Sequence, residues 1–162
     1  MSEKSHNAAE VSAIVKKEVD NISNATIKDA LATILIFPVS HNRFWEYGKE
    51  NEEFVCWTIA ADNNSGVTLI YSDYGFGPIT PWGLVMESFP YFGMDSNWFI
   101  SLEDCFLNSN AASELNIWSV LKQGNDSPNE IIYHELSFEE AKEKRHKLLL
   151  ENPSMNYLIS HV

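Results

Sequence analysis

Apolar residues recur at Ala8, Val11, Ile14, Val15 and Val19, the i, i+3, i+4 spacing of one helix face. Residues 8–19 are therefore predicted to form an amphipathic helix. Asn24 is a capping residue ahead of a second apolar run, TIKDALATILI, and Pro38 predicts a break near Phe37. The period then changes. HNRFWEYGKENEE is rich in turn residues and is expected to connect, with at most a short strand around 44–47. FVCWTIAAD places Phe54, Cys56, Thr58 and Ala60 on one face and Val55, Trp57, Ile59 and Ala61 on the other. Both faces are mostly apolar, as in a strand covered on both sides. DNNSG is a turn, and VTLIYSDY completes a hairpin over 54–74.

Beyond Tyr74 the glycines and prolines from Gly75 to Gly83 predict an irregular loop before a third strand, WGLVME. A second loop, bounded by Pro90 and Gly93, precedes a short fourth strand at NWFIS. Ser101–Asp104 and Ser137–Glu140 have the spacing of capping boxes, opening a short helix to about 106 or 107 and a longer one to about 150. Residues 115–121 are expected to be helical, EIIYHEL a last strand, and MNYLISHV either a docked strand or a loose tail. No internal repeat is visible.

Helices, then mostly antiparallel strands, then helices again predict an α+β fold. The expectation is a frayed N-terminus over 1–7, then a single domain over 8–162. Its sheet should have four to six mostly antiparallel strands, with N-terminal and C-terminal helices packed on it. At 162 residues and 44% apolar, the chain is long enough to bury a substantial core.

Charge narrows the partner. The net charge is −12, and residues 50–121 hold ten acids and no Lys, Arg or His. Nucleic acid and anionic membrane surfaces both require cations that this segment lacks. A cationic protein is the favoured partner. No run of about 18 apolar residues is present to span a bilayer, and the N-terminus lacks the order of a secretion signal. A cytoplasmic location is the default expectation.

Catalytic motifs are weak. GFGPIT departs from GxGxxG, and Pro78 removes a backbone donor that a phosphate cradle needs. His134-Glu135 is not part of HExxH, neither His41 nor His134 sits by a nucleophile motif, and His6 and His161 lie near the termini. Cys56 and Cys105 stand in apolar surroundings and are expected to be buried, reduced thiols. No cofactor or metal is expected. The stretch 71–99 remains: nine of its 29 residues are aromatic, with Asp73, Glu87 and Asp95 among them. Most of these rings should be core. Those on loops, Tyr74, Phe76 and Tyr91, are candidate interface anchors. Asp62, Asp73, Asp95, Glu103 and Asp104 are the candidate interface charges, although Asp62 also suits a turn and Glu103 and Asp104 a helix start. The competing reading takes Asp73, Glu87, Asp95 and the loop aromatics as a carbohydrate-binding or glycosidase-like site.

The order PWGLV, then GMDSNWF, then SLEDCF over residues 80–106 resembles small immunity proteins of bacterial polymorphic toxin systems, including contact-dependent inhibition. The resemblance implies a cytoplasmic, non-enzymatic protein that binds and neutralises one cognate toxin domain. It carries no contact residues across, because these differ from pair to pair. An acidic inhibitor of a basic, nuclease-like toxin is the implied function.

Overall fold

The first helical face is realised as α1, Ala8–Asn21, which buries Val11 and Val15. Asn7 caps it in a full capping box with Glu10. A computed structural model of the chain describes residues 6–46, 48–49, 52–62, 65–73, 79–92, 97–115, 117–123 and 130–161. The expected fraying of 1–7 concerns mostly residues outside these. Asn24 caps α2, Ala25–Ile34, as its sequence predicts.

The chain does not break at Pro38. It passes directly from α2 into a long strand, β1, Leu35–Trp45, where only a short strand at 44–47 was expected. Pro38 is tolerated because the ladder to the next strand is irregular between Leu35 and Val39. Proline has no N–H to give, so such an edge position is where it fits. The hairpin follows as predicted: β2, Glu53–Asp62, and β3, Val67–Tyr71, joined through Gly66 at φ 68°. Then come β4, Trp82–Met86; a two-residue strand β5, Tyr91–Phe92; β6, Asn97–Phe99; and α3, Leu102–Leu107. Ser101 caps α3, its Oγ accepting from the Asp104 N–H and donating to the Asp104 carboxylate.

The six strands form one sheet in the order β5-β1-β2-β3-β4-β6, antiparallel except for β1 with β5. The sheet curls. Phe92 of β5 and Trp98 of β6, at opposite ends of that order, meet edge-to-face with ring centroids 5.7 Å apart. They share one core with Cys56, Ile70 and Val85. Trp98 packs so closely over Gly83 that a Cβ there would lie 2.8 Å from its ring. Alternation puts Ile59, Leu69 and Trp82 on the opposite face of the sheet. There α1 and α2 contact β1 and β2, while α3 contacts β4 and β6.

Contacts divide the chain into two units, Met1–Ala112 and Ser113–Val162. The second contains a three-stranded antiparallel sheet in the order β8-β7-β9: β7, Trp118–Lys122; β8, Glu130–Leu136; and β9, Tyr157–His161. The predicted helix over 115–121 is therefore corrected to a central strand. Ile117, Trp118 and Val120 are strand-favouring residues, and β8 and β9 pair with β7 along its two edges and satisfy its main chain. The C-terminal helix α4, Phe138–Glu151, has the expected Ser137–Glu140 capping box and packs Ala141 against Val120 and Tyr157. The tail takes the strand alternative. The chain is α+β, with helices at both ends and a mostly antiparallel six-stranded sheet plus a smaller one. No helix among the described residues is long and apolar enough to cross a membrane.

Candidate partner-binding surface

One buried cation organises a group of exposed apolar residues of the first unit. Arg43 of β1 is only 4% exposed, and no carboxylate pairs with it among the described residues. Its guanidinium donates instead to the main-chain carbonyls of Met86, at 3.2 Å, and Phe89, and reaches that of Glu87 at 3.5 Å. Burial lowers its pKa, opposed by the nearby Cys56 and Glu87. Arg43 thus ties the crossing from β4 to β5 back to β1. Phe44 N–H donates to Pro90 O and Glu46 N–H to Phe92 O, completing the lacing.

With its backbone held inward, this crossing turns its apolar side chains outward. Met86, Phe89 and Tyr91 are 60%, 56% and 45% exposed, and Tyr91 stacks at a tilt against Phe89 and Phe44. The three form the exposed lining of a groove of about 400 Å³, to which Leu84 and Val85 contribute buried side chains. Asn97, Asn108 and Asn110 supply its polar part, and no charged residue lines it among the described residues. Rings and a thioether beside amides suit an apolar anchor from a protein partner.

The expected site residues do not gather at one place. Tyr91 lies in the groove. Glu87, adjoining Met86, is exposed beside it. Glu103, partly buried, and exposed Asp104 occupy the first turn of α3, and Asp62 ends β2. Asp73 is committed within the chain: Tyr71 Oη donates to its Oδ1 at 2.8 Å, and His6 Nδ1 lies 2.8 and 2.9 Å from its two oxygens. Burial, reinforced by Asp73, pushes the Tyr71 hydroxyl far above its ordinary pKa. Tyr74, Phe76 and Asp95 lie outside the described residues. Met86, Phe89 and Arg43 were not singled out from sequence. The available signal was MESFPYF, where Pro90 interrupts an apolar run and leaves no regular strand to bury it.

The geometry limits chemistry as well. Asp73 and Glu87 lie beyond opposite ends of the five-pair β3–β4 ladder, which alone spans about 13 Å at roughly 3.3 Å per residue. A glycosidase pair requires about 5–9.5 Å. Both cysteines are buried, as expected. Burial pushes the Cys56 thiol up to about 11 and the Cys105 thiol still higher, so neither is a thiolate nucleophile at neutral pH. His6 held by Asp73 is the pairing a general base needs, but no nucleophile joins it in the described contacts. Among the described residues no three His, Cys, Asp or Glu converge to hold a metal. No family model matches the chain, and neither a curated protein nor a solved structure matches it.

Proposed function

We propose that this protein is an immunity-type inhibitor, a cytoplasmic protein that binds a cationic toxin domain and neutralises it without catalysis. The observation that carries the reading is a groove edged by Met86, Phe89 and Tyr91, with no charged side chain among the described residues that line it, set within a 72-residue segment holding ten acids and no base. The segment's field draws a basic domain in, with steered on-rates that reach about 10⁸–10⁹ M⁻¹s⁻¹ at low salt. Aromatic anchors then supply the short-range affinity. Of the charges expected at the surface, Asp104 is exposed; Glu87 joins it because it flanks the groove. Asp73 serves the His6–Tyr71 cluster instead. The test is co-expression with the C-terminal domain of the neighbouring large open reading frame. Restored growth and a 1:1 complex support the reading; toxicity without rescue removes it.

A second reading rests on the same groove. Two rings and three amides in an uncharged cleft also suit a sugar, as a carbohydrate-binding site without hydrolysis by the separated Asp73 and Glu87. Binding of neutral oligosaccharides that is lost in Tyr91→Ala would select it.

A further inference from the structure

A different surface of the first unit carries an independent inference. β1 pairs with β2 along one side, but β5 covers its other side only at Phe44 and Trp45. From Ile36 to Asn42 that outer side has no strand partner among the described residues. Ile36, Phe37 and Val39 are exposed there, Phe37 at 67%. A groove of about 330 Å³ runs alongside, between this stretch and the Val15 and Val19 face of α1. An open edge and an apolar groove side by side form the template for an added strand, main chain on main chain and one side-chain face over the groove.

We propose that the occupant is a second copy of this chain, its β1 pairing antiparallel with ours to join two six-stranded sheets about a two-fold axis. Charge selects this occupant. Residues 35–42, LIFPVSHN, contain no Lys, Arg, Asp or Glu, so self-pairing sets no like charges opposite one another. Edges that avoid their own kind carry Lys, an inward charge, Pro or a bulge; this one has neither charge, and its Pro38 and its irregular register fall between Leu35 and Val39, leaving 39–42 regular and open to pair. Lys16, the one charged side chain among the described residues lining the groove, is held by Asp20 at 2.7 Å. A cationic partner finds no acid along this edge to meet. A two-fold axis makes the interface self-complementary: whatever Phe37 of one copy touches, Phe37 of the other touches in return.

The long-range field opposes this contact, because each copy carries −12. Self-association should therefore strengthen as salt screens the repulsion, the opposite of the response expected for a cationic partner. The test is sedimentation velocity on the full chain over a wide concentration range, at low and high salt. The expected result is a monomer–dimer equilibrium that salt favours. Phe37→Lys and Val39→Lys, both at exposed positions, each enter the interface twice and should weaken it by roughly tenfold or more. The amides of Ile36, Phe37 and 39–42 in the wild type should exchange more slowly at high concentration, a readout independent of any variant's folding. A monomer at every concentration and salt, or a dimer indifferent to both substitutions, overturns the proposal. So does protection of these amides by an added partner but not by concentration, which would assign the edge to that partner. Growth rescue does not enter these outcomes, so this edge and the inhibitor reading can fail separately.

Discussion

The first unit shows two apolar surfaces that look alike by exposure and differ in construction. At the groove, Arg43 consumes the main-chain carbonyls of the β4–β5 crossing, so only side chains remain to be offered. At the edge of β1, residues 36–42 keep one side of their main chain open. The groove lies in a base-free acidic segment, and the edge in a stretch without acids or fixed cations. Similar exposed apolar residues thus support two different proposals. A backbone already satisfied leaves recognition to side chains and field, whereas an open one is available for strand pairing.

The largest expected effect is at Arg43. Arg43→Ala strips the donors from buried carbonyls and leaves a cavity, and should destabilise the first unit by about 3 kcal/mol, the scale of breaking a buried polar network. Chemical denaturation followed by Trp fluorescence reads this loss. Phe37→Lys, at the open edge, should leave the same midpoint almost unmoved. Equal losses in the two variants would erase the distinction between a laced surface and an open one.

Next in size is the partner's response. Phe89→Ala and Tyr91→Ala should each weaken the cationic partner by about 2 kcal/mol, as interface anchors do, with folding unchanged. Phe37→Ala removes an equally large and more exposed ring, and should leave that affinity intact. Calorimetric titration decides between them. If all three variants bind alike, the groove is not the contact surface.

Charge gives a smaller effect. Glu87→Lys should slow association severalfold and flatten its dependence on salt, because a rim charge acts mainly on the encounter rate. The same substitution takes each copy from −12 to −10, so the salt-strengthened dimer should lose only a small part of its slope. Stopped-flow association at two ionic strengths reads the first and sedimentation the second.

Much of this architecture was legible in the chain and the sites were less so, for physical reasons. The β2–β3 hairpin, the capped helices and the buried cysteines follow from local rules that tertiary packing did not overturn. β1 was hidden because its helix-like approach, TIKDALATILI, passes into a strand at Leu35 with no turn residue between, and Pro38 looks like a stop. β7 was misjudged because residues buried on both faces carry no alternation, so strand and helix look the same over a short run. The exposure of Tyr91 was legible from the loop expected between Pro90 and Gly93, although the structure gives it to the two-residue strand β5. That of its companions was not, since exposing Met86 and Phe89 depends on Arg43 reaching across the curl from 43 residues before the first of them. The bond between His6 and Asp73 spans 67 residues and leaves no local mark.

The smallest effect at neutral pH lies in the core that underlies the groove, where Cys56 packs with Val85. Burial raises the Cys56 thiol to about 11, the Ser72 hydroxyl and Arg43 pulling weakly the other way. An unfolded thiol titrates near 8.5. Between these values the folded chain holds a proton that the unfolded chain has released, so stability must fall as pH rises. Its full contribution is present below about 8.5 and is lost on the way to about 11. Tyr71, also raised, adds to the decline in the same direction once pH passes the ordinary range of a phenol. Cys56→Ala should lower stability at neutral pH but make the alkaline slope of the denaturation midpoint shallower. Residues 35–42 contain no thiol or phenol, so the dimer constant should show no step at the Cys56 titration, only the gradual weakening that growing negative charge imposes on both copies. A dimer that dissociates in step with the Cys56 titration would show the two surfaces to be coupled through the sheet.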